Sequence, residues 1–180
     1  TTPCSQSVNF QATAPIPVSN PNLSFEWDFG DGSPLGMGTI INHTYVAIGG
    51  GFMNFTVTLT VTDASDSCSN SIQKIITIDE LPDAALTDDN IFSPFSFCDG
   101  DTYTLVVENA STTTSENANY QIDWGDGSML FTAGSSFTTT NHTYTGQGGY
   151  SIVLTVTGTN GCTSTFTQEF YMGGNPAVGI

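Results

Sequence analysis

Two histidines are the side chains of this chain best suited to proton transfer near neutral pH. They are His43 and His142, and each lies in the same tetrapeptide, Asn-His-Thr-Tyr. Serine and aspartate are abundant, so a serine–histidine–aspartate triad is the first chemistry to consider. The sequence has no Gly-x-Ser-x-Gly, His-Glu-x-x-His or phosphate-loop motif. The duplicated context instead favours a structural role, in which each histidine and the following tyrosine, Tyr45 or Tyr144, pack at a strand corner.

Calcium binding is the second chemistry that the residues allow. Asp79, Glu80 and Asp83 cluster near the middle of the chain, and carboxylate oxygens are the ligands that calcium prefers. Such acids are also ordinary in a solvated linker, and residues 173–176, one period later, have no carboxylates. Further acidic pairs are Asp88 with Asp89 and, as a weaker choice, Asp99 with Asp101. Calcium is therefore a possible cofactor, and no other cofactor is indicated.

Four cysteines form two pairs of equal spacing, without any Cys-x-x-Cys motif, which favours disulfides over a zinc site. Equal spacing favours pairing Cys4 with Cys68 and Cys98 with Cys162. Each such bond closes a loop of about 64 residues and stabilises by about 3 to 4 kcal/mol. In a seven-strand sandwich these positions lie at opposite ends, beyond the reach of a disulfide of about 7 Å between Cα atoms. The alternative places Cys4 opposite Cys162 and leaves Cys68 and Cys98 for neighbouring units.

These residues belong to a tandem repeat. Cys4 and Cys98, like Cys68 and Cys162, are 94 residues apart, a domain-sized period. The longest repeated motif runs Trp27-Asp28-Phe29-Gly30-Asp31-Gly32-Ser33 in the first copy and Ile122-Asp123-Trp124-Gly125-Asp126-Gly127-Ser128 in the second. In both copies the glycines permit positive φ in a tight turn, and Asp31 and Asp126 are placed to accept backbone N–H bonds within it.

Apolar and polar residues alternate with a period of two, which predicts half-buried strands. Phe55, Val57, Leu59 and Val61 alternate with threonines, and residues 150–156 repeat the pattern. No segment has a convincing helical period. Short strands separated by turns, at about 90 residues per copy, predict two immunoglobulin-like β-sandwiches in tandem, arranged end to end.

The motifs together resemble PKD (polycystic kidney disease) domains. The resemblance rests on Trp27 to Gly32, on His43-Thr44-Tyr45 and on the strand Phe55 to Asp63, and it covers nearly the whole chain twice. The second copy ends its long strand in Thr157-Gly158 and lacks the aspartate found at Asp63. The added cysteines resemble tandem PKD units in large surface adhesins of gliding and other Bacteroidetes-type bacteria. The resemblance implies an all-β, noncatalytic module outside the cell, acting as a spacer, an adhesive element or an accessory domain of a secreted hydrolase.

The repeat predicts domain boundaries at 1–79 and 80–173, with residues 174–180 beginning a further unit or forming a donor tail. The first copy lacks the counterpart of residues 81–97, so its opening strand is expected to be missing or supplied by a neighbour. Three functions remain open: a surface stalk or adhesin, a filament subunit that assembles by strand donation, and a hydrolase accessory domain that presents aromatic residues. Phe92, Phe95 and Phe97 are the aromatic residues least clearly assigned to a core.

Composition limits the partners. The formal net charge is −16, and Lys74 is the single basic residue, so nucleic acid and anionic membranes are poor partners for this surface. No apolar run is long enough to span a bilayer. The expected partners are neighbouring repeat units or identical subunits, and a surface polysaccharide or protein, at an extracellular or cell-surface location.

Overall fold

The computed structural model describes residues 4–13, 21–90 and 93–174, and no helix occurs among them. The part of the chain that the structure describes therefore also contains no helix long and apolar enough to cross a membrane. Two compact units are formed. Unit 1 comprises residues 1–47 and 52–80, and unit 2 comprises residues 48–51 and 81–180.

Unit 1 is built from two antiparallel sheets. Its strands are β1 (Ser7–Gln11), β2 (Leu23–Asp28), β3 (Gly36–Met37), β4 (Ile40–Thr44), β5 (Phe52–Asp63) and β6 (Cys68–Asp79). The smaller sheet pairs β1 with β4, and the larger has the order β3-β2-β5-β6. Strands β5 and β6 pair over their full length, from Phe52 opposite Asp79 to Asp63 opposite Cys68.

Unit 2 repeats this plan with two additional strands at its beginning. Its strands are β7 (Leu86–Asp88), β8 (Ser96–Phe97), β9 (Thr102–Asn109), β10 (Asn117–Asp123), β11 (Phe131–Gly134), β12 (Thr139–Thr145), β13 (Gly148–Gly158) and β14 (Thr163–Met172). One sheet has the order β12-β9-β7, and the other has the order β11-β10-β13-β14-β8. The register of the first unit recurs, because Trp27 lies opposite Leu59 and Ile122 lies opposite Leu154.

Alternation decides which side chains enter each core. On β2, Phe25 and Trp27 are each 5% exposed, while the outward Asp28 is exposed. The corresponding Tyr120 and Ile122 of β10 are fully buried. The prediction of tandem immunoglobulin-like sandwiches without helix is therefore confirmed.

The two cores differ in how completely they are closed. Leu154 and Val156 are fully buried in unit 2, whereas their repeat equivalents Leu59 and Val61 are only partly buried. Unit 2 places Leu86 of β7 and Phe137, from a longer β11–β12 connection, in its core. In unit 1, by contrast, Leu59, Val61 and Ile72 line a groove of about 480 Å³ that extends to Cys68.

Candidate functional site

The duplicated motif forms a turn directly after β2 in unit 1. The Asp28 carboxylate accepts a hydrogen bond from the Gly30 N–H at 2.9 Å, and the Asp31 carboxylate accepts one from the Ser33 N–H at 3.0 Å. Gly30 has a φ of 75°, in the left-handed region. A Cβ on Gly30 would lie 2.3 Å from the carbonyl oxygen of Thr56, so the turn approaches β5 too closely for any side chain.

Unit 2 forms the same turn after β10. The Asp123 carboxylate accepts from the Gly125 N–H at 3.0 Å, and the Asp126 carboxylate accepts from the Ser128 N–H at 3.0 Å. Gly125 also has a φ of 75°, and its Cβ would lie 2.5 Å from the carbonyl oxygen of Ser151. The second glycines of the two turns, Gly32 and Gly127, have positive φ but nothing within 4 Å of a Cβ.

Each turn is tied to the opposite sheet by its histidine. The His43 Nε2 atom lies 2.7 Å from Asp31 Oδ2, and both side chains lie near the surface but are partly covered, at 15% and 16% exposure. The His43 ring stacks on Phe29 with ring centroids 3.8 Å apart and an angle of 1° between the planes. The Tyr45 ring contacts the His43 ring edge-on, with ring centroids 4.7 Å apart. We call Phe29, Asp31, His43 and Tyr45 the corner cluster of unit 1.

The corner cluster of unit 2 consists of Trp124, Asp126, His142 and Tyr144. His142 Nε2 lies 2.7 Å from Asp126 Oδ2, and its ring stacks on Trp124 at 4.7 Å. Tyr144 contacts the histidine edge-on at 4.7 Å. The same geometry therefore forms with a tryptophan or a phenylalanine as the stacking partner.

In each cluster the tyrosine lies in the core and donates a hydrogen bond to a backbone carbonyl. The Tyr144 hydroxyl donates to the Trp124 carbonyl at 2.9 Å, and the Tyr45 hydroxyl donates to the Phe29 carbonyl at 3.3 Å. Both tyrosines are fully buried. Burial, followed by the charge of the nearby Asp31 or Asp126, raises the pKa of each phenol well above its ordinary value. Both phenols therefore stay neutral hydrogen-bond donors.

The aspartates show that the clusters stabilise charge. Burial by itself would raise the pKa of the Asp126 carboxyl, but hydrogen bonds from Ser128 and His142 and the charge on His142 outweigh it. The pKa of Asp126 is consequently lowered from 3.8 to about 2. In unit 1, burial is likewise outweighed by Ser33 and His43, and the pKa of Asp31 is also lowered to about 2.

This arrangement is suited to fastening a turn. The histidine contacts an aspartate, a stacked ring and a tyrosine edge, and the tyrosine hydroxyl is bonded to a carbonyl. The Ser33 hydroxyl donates to Asp31 at 2.6 Å, so it is bonded to the acid of the pair. A nucleophilic mechanism needs the hydroxyl on the histidine instead.

The direct contact between histidine and aspartate was not part of the sequence prediction. Asp31 and His43 are 12 residues apart, whereas Asp126 and His142 are 16 apart. Because the spacing varies, no local sequence pattern connects the turn aspartate with the histidine. The one sequence signal for their contact was that the turn motif and the Asn-His-Thr-Tyr motif are duplicated together. Trp27 belongs to the same motif, and its indole N–H donates to the Gly38 carbonyl at 2.8 Å.

The acids considered for calcium already have donors within their own units. The Asp79 carboxylate accepts from the Cys4 N–H at 3.1 Å. The Asp83 carboxylate accepts from the Thr112 N–H at 2.8 Å and its hydroxyl at 2.9 Å, and Asp101 accepts from Gln147 at 2.7 Å. Oxygens engaged in this way are less available to a cation. Calcium at Asp79, Glu80 and Asp83 stays a prediction.

The predicted disulfides within one unit are wrong. Cys4 and Cys162 are disulfide-bonded, whereas Cys68 and Cys98 are exposed free thiols. In unit 1 the reason is distance along β6. Cys4 is hydrogen-bonded to Asp79 at the end of this 12-residue strand, and Cys68 begins it. At about 3.3 Å per residue the two cysteines are roughly 36 Å apart, far beyond the limit of about 7 Å between Cα atoms.

Each unit is a sandwich of two sheets, antiparallel except for the β8–β14 pair of unit 2, with a buried corner tyrosine, and this arrangement is typical of the immunoglobulin-like class. The family model described as PKD domain matches residues 2–78 and again residues 85–173. The chain therefore belongs to the PKD domain family, as its motifs predicted. PKD and immunoglobulin-like domains are in general noncatalytic modules.

The solved structures that match this chain are distant in sequence, and the TM-scores of those named here are below 0.5. The fibronectin(III)-like modules of Clostridium thermocellum CbhA are 11% identical, with 95% of this chain and 87% of that chain covered and a TM-score of 0.36. The Bacteroides ovatus mixed-linkage glucan utilization locus protein SGBP-B, solved with a mixed-linkage heptasaccharide, is 13% identical (94% and 41% covered, TM-score 0.34). Chicken VE-cadherin EC1-2 is 16% identical (92% and 91% covered, TM-score 0.28). A search of curated proteins found no match.

Proposed function

We propose that this chain is a noncatalytic, extracellular repeat segment that carries mechanical load, as part of a surface stalk or adhesin. Family membership supports an extracellular structural or binding module. The observation that carries the mechanical role is the way in which unit 2 joins its second strand, β8, to its last strand, β14. We call this joint, formed by residues 95–97 and 171–173, the parallel clamp.

The parallel clamp consists of backbone hydrogen bonds between β8 and β14. Ser96 lies opposite Tyr171, and Phe97 lies opposite Met172, in parallel orientation. The Tyr171 N–H donates to the Phe95 carbonyl at 3.0 Å, and the Gly173 N–H donates to the Phe97 carbonyl at 2.8 Å. The three-residue strand β7 precedes β8; once it has separated, pulling on the two ends of unit 2 loads the parallel strands β8 and β14 in shear, so their bonds must break together. Antiparallel strands at the ends would instead separate one bond at a time.

Side chains reinforce the parallel clamp. Phe95 is 8% exposed and belongs to the unit 2 core. The Phe97 ring stacks on the Tyr103 ring with centroids 4.2 Å apart, and the Tyr103 ring stacks in turn on Phe170 with centroids 5.9 Å apart. Separating β8 from β14 therefore also exposes apolar surface, which costs about 25 cal/mol per Å².

Single-molecule pulling on the 180-residue chain with its disulfide reduced tests this proposal, because an intact bond at Cys4 and Cys162 would carry the load past β8. Tyr171→Pro removes the N–H that donates to Phe95, and we expect it to lower the unfolding force of unit 2. Thr167→Pro is the matched control. By the two-residue alternation its N–H points to the same edge of β14, beyond the two residues that pair with β8, and edge strands tolerate proline there.

The expected result is a lower unfolding force for Tyr171→Pro and little change for Thr167→Pro. Equal unfolding forces for the parent chain and Tyr171→Pro, with both folded at rest, would remove the load-bearing role. Equal losses in both variants would mean that proline weakens β14 in general.

The aromatic residues do not favour a hydrolase accessory domain. Phe95 and Phe97 pack inward, and Phe92 lies outside the described residues. The tail considered for strand donation, Ala177 to Ile180, also lies outside them. Neighbouring repeat units or identical subunits remain the partners that we propose, with a surface polysaccharide or protein as a possible ligand.

A further inference from the structure

The four cysteines form two classes by position in the repeat. The early cysteines, Cys4 and Cys98, precede β1 and β9. The late cysteines are Cys68, the first residue of β6, and Cys162, directly before β14. One cysteine of each class, Cys4 and Cys162, is disulfide-bonded, and one of each class, Cys98 and Cys68, is an exposed free thiol.

The free thiol of unit 2 cannot reach the late cysteine of its own unit. Cys98 directly follows Phe97, which pairs with Met172 at the end of β14. Cys162 lies before Thr163 at the beginning of the same strand. Ten residues at about 3.3 Å each place the two cysteines roughly 30 Å apart, and a disulfide needs about 7 Å. In unit 1, Cys68 is separated from Cys4 by the length of β6 in the same way.

We propose that Cys98 of one copy of this chain forms a disulfide with Cys68 of a second copy. The two free thiols belong to the same classes, one early and one late, as the two cysteines that are already oxidised. Each copy carries one of each class, so the bond can be repeated from copy to copy. The proposal deepens the proposed function, on which it rests, because it adds a covalent joint to a load-bearing array.

The reaction is thiol–disulfide exchange with a low-molecular-weight disulfide such as oxidised glutathione. One Cys98 thiolate attacks the glutathione disulfide, forms a mixed disulfide and releases one glutathione thiol. The Cys68 thiolate of the second copy then attacks the sulfur of Cys98 and releases the second glutathione. Two protein thiols are oxidised, one small disulfide is reduced to two thiols, and the atoms and electrons balance.

The exposure of the two thiols and the charge of the chain determine how fast two copies can form the disulfide. Both thiols are exposed, and Cys68 borders the open groove of unit 1. Each copy has a net charge of −16, so two copies repel each other at low salt. Screening lengths fall to about 8 Å at physiological ionic strength. We therefore expect the reaction to be faster at 0.5 M than at 0.02 M sodium chloride.

Two single variants provide the test. Cys68→Ser and Cys98→Ser are each incubated alone with oxidised glutathione, and then together in equal amounts. Products are separated on non-reducing gels and identified by peptide mapping. We expect each variant alone to stay monomeric, the mixture to give a species of twice the mass, and the parent chain to give a ladder. The mapped peptides of the dimer should join residue 98 to residue 68.

Two results would overturn the proposal. The first is dimerisation of either variant alone, which would show that like cysteines pair. The second is a mixture that stays monomeric while iodoacetamide labelling shows that both remaining thiols are reactive. Neither result would change the unfolding force set by the parallel clamp, so the proposed function would be judged separately.

Discussion

Asp126→Asn removes the negative charge of the unit 2 corner cluster while keeping its size. In the parent chain the Asp126 carboxylate takes hydrogen bonds from Ser128 and contacts His142 at 2.7 Å. These interactions lower the pKa of Asp126 from 3.8 to about 2. A shift of this size corresponds to about 2.4 kcal/mol of stability at neutral pH. Because the carboxylate lies near the surface, where water and salt screen charges, we expect about 1 to 2 kcal/mol.

The sign of the pH dependence follows from the direction of the shift. The folded-state pKa is lowered, so the contribution is complete above the unfolded-state value of 3.8 and is lost as the pH falls through about 2. About half of it remains at pH 3 and about one sixth at pH 2. Asparagine resembles the protonated acid, so the parent chain and the variant should converge in stability as the pH approaches 2.

Urea unfolding followed by pulsed hydrogen exchange and mass spectrometry measures each unit in one sample. Peptides from β13 report unit 2, and peptides from β5 report unit 1. With a urea m-value of about 1 to 1.5 kcal/mol per M, the midpoint of β13 should fall by roughly 1 M at pH 7. Asp31→Asn, the equivalent change in unit 1, should lower the urea midpoint of the β5 peptides and leave that of the β13 peptides unchanged. Glu169→Gln, on the exposed face of β14, controls for removing one negative charge.

A loss of stability that persists undiminished at pH 2 would contradict this prediction, since it would mean that Asp126 acts through packing and not through its charge. A loss equal to that of Glu169→Gln would mean that net charge alone is responsible.

The close approach of the first turn glycine gives a further prediction: Gly125→Ala should destabilise unit 2 by about 3 kcal/mol or more, from overpacking and strained φ together. Gly127→Ala should cost only about 1 kcal/mol, because Gly127 has a similar φ but nothing lies within 4 Å of an added Cβ. Thermal unfolding of the two variants measures this difference in stability. Tyr144→Phe leaves the Trp124 carbonyl without its hydroxyl donor and should cost about 1 to 3 kcal/mol by urea unfolding at pH 7; an unchanged midpoint would contradict that hydrogen bond's contribution.

The strands were largely predictable because alternation and the repeat agree. Phe55 to Val61 read as a half-buried strand, and β5 forms there. The closure of the unit 2 core was not predictable, because Phe137 lies in a connection that has no alternating pattern. β8 contains only Ser96 and Phe97, too few residues for any periodic signal, so the parallel clamp could be found only in three dimensions.

The candidate site was predicted in part. Turn aspartates accepting N–H bonds and a buried corner tyrosine follow from local chemistry. The histidine–aspartate contact joins two motifs that are distant in sequence and differently spaced, so it depends on how the sheets face each other. The disulfide pairs favoured by equal spacing were wrong, because spacing does not show which end of a strand a cysteine occupies. The expected strand positions had argued against those pairs, and the alternative that leaves Cys68 and Cys98 unpaired within the chain agrees with their free thiols.

If the proposed function is right, the parallel clamp, and not overall stability, sets the resistance of unit 2 to force. The decisive measurement is the unfolding force of Asp126→Asn and of Tyr171→Pro, compared with their urea stabilities at pH 7, all with the disulfide reduced. We expect Tyr171→Pro to lose more unfolding force than Asp126→Asn, even where Asp126→Asn loses as much equilibrium stability. Unfolding forces that follow equilibrium stability in both variants would contradict it.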